Sequence, residues 1–386
     1  MLKSNSKKAA IGAVFSLTLL LAACSGDTGE GPTTGAAVLE DVATEILGMP
    51  SFDDSDGLVL AGEKIADAEL LDAARSEKLV WYTGSGTRSA ELTAARFAAE
   101  TGVEIEMTRL PSSALSERVL SEAGAGQLTA GVVTVTDPVI AQNFADEGIL
   151  VPYETPLYAE LDQMGPIVWD SGAYYTVYYS AYAFAYNNQV VDAANAPEKW
   201  ADLIDPQWEN VFGLVNAGAG GTVQGLAYFQ EQAFGEKYWE DLAALKPRIF
   251  DTTSPQLDAL ARGEISVATS GFNSTYAAIL EGAPIELVVP EDGISGTFNM
   301  QGVTTTGQDS ASAKLFMNWT MGKSGQEFAA AQGFVGVRTD IEQIATGPYQ
   351  LPRADDDTFV LYTPEKAEKY GADTVARWNE AFGYTG

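Results

Sequence analysis

Short polar loops rich in hydroxyl groups and glycine each precede a helical pattern in the sequence. One loop holds Ser85, Gly86 and Thr87, and another ends with Gly221 and Thr222. Free backbone N–H groups at a helix start attract a carboxylate, phosphate or carbonate group, and glycine lets a ligand approach the backbone closely. Ordinary turns with helix caps explain the same residues, so both interpretations stay open. The second loop is not a nucleotide-binding P-loop, because no Lys-Ser/Thr pair ends it.

Asp137 and several tyrosines are the side chains best suited to cations. Asp137 stands before Pro138, which is typical of a helix cap, and a cleft carboxylate for a cation is the alternative interpretation. Tyrosine can stack on a ligand, attract an ammonium group by cation–π contact or bind ferric ion. The candidate ligand-binding residues are Ser85, Gly86, Thr87, Ser113, Thr136, Asp137, Tyr174, Tyr175, Gly221, Thr222, Asn273 and Tyr276, and the candidates for a metal site are Tyr276 and Asp137.

The chain contains no histidine and a single cysteine. These absences exclude Ser-His-Asp and Cys-His catalysis and zinc sites with imidazole ligands. A carboxylate pair of the glycoside-hydrolase kind stays open as an enzymatic alternative, although the predicted loops contain few acids besides Asp137. We therefore expect a binding protein with no catalytic residue and no resident cofactor. The formal net charge of −31 repels phosphate backbones and argues against nucleic acid as a partner.

The amino terminus has the pattern of an export signal that is cleaved before Cys24. Lysines precede an uncharged stretch, residues 9–23, which is too short to span a bilayer comfortably. Small residues followed by cysteine resemble the lipobox of bacterial lipoproteins, in which the thiol carries a lipid. We expect residues 1–23 to be a signal peptide and residues 24–66 a flexible tether. The protein is then exported and anchored to the cell membrane by lipid.

Strands alternate with helices over most of the remaining chain. Short apolar strands near 79–82, 103–107 and 132–135 are each followed by a polar loop and a helix, and similar units occupy residues 211–290. This alternation predicts a parallel sheet with right-handed crossovers, in which loops at the carboxyl ends of the strands line a binding crevice. The aromatic stretch 171–187 predicts a long strand that runs from one domain into another.

Three stretches resemble the periplasmic-binding-protein superfamily, in the group with receptors for ferric ion, thiamine, polyamines and phosphonates. They are the strand–helix–strand unit 79–105, the segment 262–268 and the segment 288–293. The resemblance implies an α/β fold of type II, with two lobes joined by crossing strands and a ligand cleft between them. The expected division is residues 67–183 and 293–345 for lobe 1, and residues 184–292 and 346–386 for lobe 2.

The same resemblance implies a substrate-binding lipoprotein of an ATP-binding-cassette importer. Such a monomer captures a small solute, closes around it and delivers it to a membrane permease and its ATPase. Ferric ion with an anion, a small oxyanion or phosphonate, and an organic amine all remain open as cargo. Ferric receptors of this group use tandem tyrosines at a helix start in the second lobe, whereas this chain has only Tyr276 in the segment 273–276. The alternatives are a lipid-anchored carbohydrate-active enzyme and a receptor that passes its ligand to a signalling partner.

Overall fold

The described part of the chain begins with a helix and a small sheet. The computed structural model describes residues 35–385, so the predicted signal peptide and Cys24 lie outside the described residues. The first elements are α1 (Gly35–Ile46), β1 (Phe52–Asp53), β2 (Leu58–Leu60) and β3 (Glu63–Ala66). The three strands form an antiparallel sheet in the order β1-β2-β3, and both leucines of β2 are fully buried.

Strand–helix units follow in the order that the sequence predicts for the first lobe. The elements are α2 (Ala68–Arg75), β4 (Leu79–Thr83), α3 (Thr87–Thr101), β5 (Ile105–Arg109), α4 (Ser112–Gly124), β6 (Val132–Val135), α5 (Pro138–Asp146), β7 (Leu150–Val151), α6 (Tyr158–Leu161) and β8 (Val168–Trp169). Strand β4 pairs in parallel with β5 on one side and β6 on the other. Strand β5 lies two residues later than predicted, so that it ends at Arg109.

The guanidinium of Arg96 ties α1 to the first lobe. Its terminal nitrogens donate to the carbonyl oxygens of Ala43 and Gly48, at 3.3 and 2.8 Å, where α1 ends. Arg96 is buried and forms an ion pair with Glu100, one turn further along α3. A cation at a helix C-terminus satisfies carbonyl groups that lack helical partners, so the pair holds α1 against α3. Residues 35–66 were expected to belong to a flexible tether, and in the structure they form α1 and the sheet β1–β3.

A long strand then leads into the second lobe, and another leads back. The elements are β9 (Tyr174–Asn187), β10 (Phe212–Val215), α7 (Gly221–Phe234), α8 (Glu236–Ala244), β11 (Arg248–Phe250), α9 (Thr253–Ala261), β12 (Val267–Gly271), α10 (Phe272–Leu280), β13 (Ile285–Val288), β14 (Ile294–Thr304), α11 (Ala311–Met321), α12 (Lys323–Ala331), β15 (Phe334–Val335), β16 (Phe359–Tyr362) and α13 (Pro364–Phe382). In the second lobe β10 pairs in parallel with both β11 and β12. Within the described residues, no helix is both long and apolar enough to cross a membrane.

Strands β9 and β14 form the antiparallel centre of a continuous sheet. The main strand order is β11-β10-β12-β9-β14-β6-β4-β5, so the parallel strands of the two lobes lie on opposite sides of this pair. The register runs from Ser295 opposite Tyr182 to Gln301 opposite Tyr175, with an irregularity between Asn299 and Met300. This arrangement confirms the predicted α/β fold with two lobes and crossing strands.

Aromatic rings pack together in the interior of both lobes. In the first lobe Trp81 and Phe97 both pack edge-on against Phe316, with ring centroids 5.1 and 5.0 Å apart. In the second lobe Trp200 packs against Phe184, at 5.1 Å between centroids. Buried aromatic pairs of this kind stabilise each lobe beyond the area that they remove from water. The buried hydrophobic residues of both lobes belong to one continuous core, which follows the sheet through β9 and β14.

Candidate functional site

The carboxyl ends of the parallel strands bring six helix starts towards the space between the lobes. In the first lobe α3, α4 and α5 begin shortly after β4, β5 and β6, and in the second lobe α7, α9 and α10 begin after β10, β11 and β12. Loops that follow parallel strands emerge at the same edge of a sheet, which is where open α/β folds bind ligands. We call the space between these two sets of loops the inter-lobe cleft.

Contacts across the inter-lobe cleft show that the lobes are closed on each other. The amide nitrogen of Asn273, on α10, lies 3.4 Å from the hydroxyl of Ser89 on α3. A Cβ atom built on Gly86 would lie 3.9 Å from the hydroxyl oxygen of Ser274. At another point of the cleft, a Cβ atom on Gly221 would lie 3.2 Å from the carbonyl oxygen of Thr136. The predicted loops of the two lobes therefore face each other.

Hydroxyl and amide groups line the middle of the crossing strands. The phenol of Tyr178 and the hydroxyl of Ser85 are 2.9 Å apart and share a hydrogen bond. Asn299 donates through its side-chain nitrogen to the hydroxyl of Ser180 at 2.9 Å. Burial raises the pKa of Tyr178 to about 12, so its phenol is protonated at neutral pH. The middle of β9 and β14, which forms the floor of the cleft, therefore presents neutral groups that can form hydrogen bonds.

Two hydroxyls on the same strand pair lack hydrogen-bond partners among the described residues. Tyr182 is 2% exposed, and no donor or acceptor meets hydrogen-bond geometry with its phenol, although Thr253 lies nearby. Ser295 stands opposite Tyr182 in the register, and its hydroxyl is also buried without a partner. The ring of Tyr182 lies against Gly271, at the start of α10, with 3.5 Å between a Cβ atom built there and the ring. Because buried polar groups are normally satisfied, these hydroxyls are suited to a ligand.

Most helix starts at the cleft have free backbone N–H groups. The residues that precede α3, α4, α7, α9 and α10 make no side-chain cap hydrogen bond. Only α5 is capped, because Asp137 accepts from the backbone nitrogen of Val139 at 2.9 Å. Exposed N–H groups and the helix dipole both favour a negative charge. Five helix starts at the cleft thus present partial positive charges, in a protein whose net charge is −31.

Arg109 adds a full positive charge at the edge of this cleft. It ends β5, and its Nε atom donates to the carbonyl oxygen of Ser85 at 3.0 Å. Among the described residues no carboxylate lies within 4.0 Å of its guanidinium, whereas every other arginine has such a partner. Arg109 is exposed to solvent, and partial desolvation of its guanidinium lowers its pKa from the ordinary value. Sequence reasoning missed this residue, although its place after an apolar strand was a usable signal.

Several predicted site residues lie at the cleft. Thr136 shares a 2.8 Å hydrogen bond with Ser112, and Thr222 receives a hydrogen bond of 3.4 Å from Thr297 on β14. Thr87 and Ser113 are exposed in the first turns of α3 and α4. With the contacts described above, the structure places Ser85, Gly86, Thr87, Ser113, Thr136, Asp137, Gly221, Thr222 and Asn273 in or beside the loops that face the cleft. Their contact with a ligand stays a prediction.

The other predicted tyrosines have different surroundings. The phenol of Tyr174 donates to Gln142 at 2.8 Å, and that of Tyr175 donates to the carbonyl oxygen of Tyr153 at 2.5 Å. The phenol of Tyr276 lies against Gly347, with 2.6 Å to a Cβ atom built there. Among the tyrosines of β9, Tyr178 and Tyr182 therefore lie nearest to the cleft loops.

The predicted metal ligands do not share an environment. Asp137 caps α5 in the first lobe, whereas Tyr276 packs edge-on against Tyr349 in the second, at 6.2 Å between ring centroids. Within residues 35–385, no group of three or more acidic, histidine or cysteine side chains is placed to hold a metal ion.

Comparisons with known proteins agree with this architecture. The profile of a family described as bacterial extracellular solute-binding protein matches residues 93–353. An uncharacterized protein of Haemophilus influenzae is 27% identical over 308 residues, which cover 76% of this chain and 86% of that protein.

Solved structures share the fold at low sequence identity. Iron-bound HitA from Pseudomonas aeruginosa matches with a TM-score of 0.61 and 20% identity, over 79% of this chain and 99% of that one. AfuA from Actinobacillus pleuropneumoniae, with fructose-6-phosphate bound, gives a TM-score of 0.60 and 21% identity over 80% and 99%. A substrate-binding protein of an ABC transporter from Agrobacterium tumefaciens gives 0.66 and 15% over 79% and 94%. The two-lobed fold and these similar structures confirm the predicted type II architecture. The family match over most of the chain shows that this protein belongs to the bacterial extracellular solute-binding proteins.

Proposed function

We propose that this protein is the solute receptor of an ATP-binding-cassette importer and that it takes a small solute carrying an oxyanion. The observation that carries the proposal is the closed cleft, into which uncapped helix starts from both lobes point. Closure lets N–H groups of both lobes bind one anion together, so binding stabilises the closed state. A permease that recognises the closed form then receives only loaded receptor.

The similar structures support this class of function. AfuA holds fructose-6-phosphate and HitA holds iron, and the neighbour from Agrobacterium tumefaciens is named as part of an ABC transporter. A sugar phosphate carries the kind of group that helix starts bind, whereas iron needs charged ligands. The described residues of this cleft offer protonated phenols and one helix-capping carboxylate. The cleft chemistry therefore favours the oxyanion over ferric ion.

Membrane attachment is the second part of the proposal. Cys24 stands after small residues at the end of an uncharged stretch, where a bacterial lipoprotein is cut and lipidated. The described structure begins at α1, eleven residues after Cys24. Growth of the parent bacterium with radiolabelled palmitate tests this point, because a Cys24→Ser variant should take up no label.

Binding of solute is tested by a thermal-shift screen of the full chain in detergent, followed by calorimetry. The panel contains phosphorylated sugars, phosphonates, inorganic phosphate, polyamines, ferric citrate and neutral sugars. A solute at 100 times its Kd raises the free energy of unfolding by about 2.7 kcal/mol. Deletion of the gene should abolish uptake of the radiolabelled solute by the bacterium.

Other outcomes of the screen would contradict the proposal. A visible phenolate-to-iron absorption band with ferric citrate would show iron as the cargo in place of an oxyanion. Release of sugars from polysaccharides, with no stabilising solute in the panel, would support the carbohydrate-active enzyme instead. Uptake that continues at the normal rate without the gene would remove the importer function.

A further inference from the structure

Arg109 has a guanidinium with unused hydrogen-bonding capacity. Its Nε atom binds the carbonyl oxygen of Ser85, and within the described chain its two terminal nitrogens make no hydrogen bond. A guanidinium fixed through Nε presents both terminal nitrogens in one plane, which matches two oxygens of a phosphate or carboxylate. The remaining arginines are paired with acids. Arg109 is therefore the arginine available to an external anion.

The surrounding groups have a different chemistry from Arg109. Ser85 connects it to Tyr178 and so to the crossing strands, where Asn299 donates to the hydroxyl of Ser180. The unpartnered phenol of Tyr182 and the hydroxyl of Ser295 lie further along the same pair of strands. Neutral donors and acceptors of this kind bind hydroxyl groups of a ligand, and they add no negative charge that would repel an anion.

Because the net charge of the protein is strongly negative, a positive charge in the cleft is important for the binding of an anionic solute. The formal charge of −31 repels anions at long range, although a local site can oppose the global field. Uncapped helix starts supply partial positive charges, and Gly86 brings the start of α3 close to Ser274 in the first turn of α10. Arg109 lies beside this junction, because its Nε atom donates to the carbonyl oxygen of Ser85, the residue before Gly86.

We propose that Arg109 binds the phosphate or carboxylate group of a small hydroxylated organic anion and determines the selectivity of the cleft for it. The helix starts of α3 and α10 complete the site for the anionic group, and Tyr182 with the other strand hydroxyls binds the hydroxylated part. This inference rests on the proposed solute-binding function and adds the chemical class of the solute and the residue that selects it.

The test compares charged and neutral partners of the same carbon skeleton. Calorimetry on the full chain in detergent measures glucose 6-phosphate and gluconate against glucose, glycerol 3-phosphate against glycerol, and inorganic phosphate alone. Arg109→Gln should weaken binding of the preferred anion roughly 10- to 100-fold, since it removes charged hydrogen bonds. Arg109→Lys should restore part of that affinity, because it keeps the charge and loses the paired geometry.

Arg248→Gln is the matched control. Arg248 begins β11 at the end remote from the cleft and pairs with Glu264 at 2.9 Å with its side chain largely exposed. This variant makes the same charge change and should leave the anion affinity within twofold of the wild type. Circular dichroism and the melting temperature without solute show whether each variant is folded.

The outcomes separate this inference from the proposed function. If the wild type binds solutes but Arg109→Gln keeps the full affinity for anions, the role of Arg109 is refuted and the receptor function stands. A wild type that prefers neutral sugars or polyamines also refutes it. Binding of inorganic phosphate as tight as that of every organic anion refutes the role of the strand hydroxyls. If no solute of any class in the panel binds, the proposed function itself fails.

Discussion

Replacing Tyr182 with phenylalanine separates the stability of the free protein from its affinity for solute. The phenol is buried and has no hydrogen-bond partner among the described residues. Burying such a group without a partner costs about 1–3 kcal/mol. Phenylalanine keeps the ring that packs on Gly271 and removes the hydroxyl. We therefore expect the free energy of unfolding of the free variant to be unchanged or to rise by about 1–2 kcal/mol.

The same substitution should weaken binding. If the phenol hydrogen-bonds the solute, its loss costs about 0.5–1.5 kcal/mol, or roughly 2- to 12-fold in Kd. Urea unfolding without solute and calorimetry with the preferred solute of the panel measure the two effects. The variant should thus be at least as stable as the wild type when free and bind solute less tightly.

Tyr238→Phe is the control for this experiment. The phenol of Tyr238 is similarly buried in the second lobe, but it donates to the carbonyl oxygen of Trp200 at 2.8 Å. Its removal should lower the free energy of unfolding by about 1 kcal/mol and leave solute affinity unchanged. If Tyr182→Phe instead destabilises the free protein as Tyr238→Phe does and keeps full affinity, the hydroxyl is structural and the reasoning is refuted.

Three further predictions concern the rest of the protein. Arg96→Met leaves Glu100 buried without its cation, so urea unfolding should show a loss of about 3–5 kcal/mol; no loss would contradict a buried pair. Arg88→Ala removes a half-exposed cross-lobe ion pair and should change solute affinity by less than about fivefold in calorimetry. Hydrogen bonds from Arg338 lower the pKa of Asp340 below its ordinary 3.8, so this stabilisation is present above about pH 4 and is lost as the pH falls. Asp340→Asn should make unfolding less acid-dependent in that range.

Local patterns in the sequence were sufficient to predict most of the fold. The cap at Asp137 with Pro138 at the first helical position is present as predicted, because it depends on neighbouring residues alone. The long aromatic strand is also present as β9. Strand–helix alternation indicated the parallel units of both lobes, since short apolar strands that alternate with helices are typical of a parallel sheet.

The position of the cleft along β9 depends on tertiary structure. Residues 174 and 178 are four apart, which is about 13 Å along a strand. Nothing in the aromatic run itself shows that Tyr178 meets Ser85, whereas Tyr174 meets Gln142 on α5. The point where the lobes meet is fixed by pairing with β14, more than a hundred residues later in the chain.

The same dependence on tertiary structure explains why the sequence did not predict Arg109 as a site residue. Arg109 belongs to the cleft because β5 is shifted by two residues relative to its apolar pattern. The docking of α1 involves Arg96, which is distant in sequence and contacts Ala43 and Gly48 only in the tertiary structure. Glycine-rich and acidic composition predicted a tether there, but distant contacts determine the structure.

With the proposed lipid anchor at Cys24, the docking of α1 on the first lobe limits how far the receptor can move from the membrane. Only residues 25–34 separate Cys24 from α1, and a fully extended chain of that length spans at most about 36 Å. An undocked tether through residue 66 would reach up to about 150 Å. With a lipid on Cys24, the smaller radius reduces the accessible volume roughly 70-fold and raises the effective concentration of receptor at a neighbouring permease. Arg96, far from the cleft, would then influence the rate of delivery more than the affinity of capture.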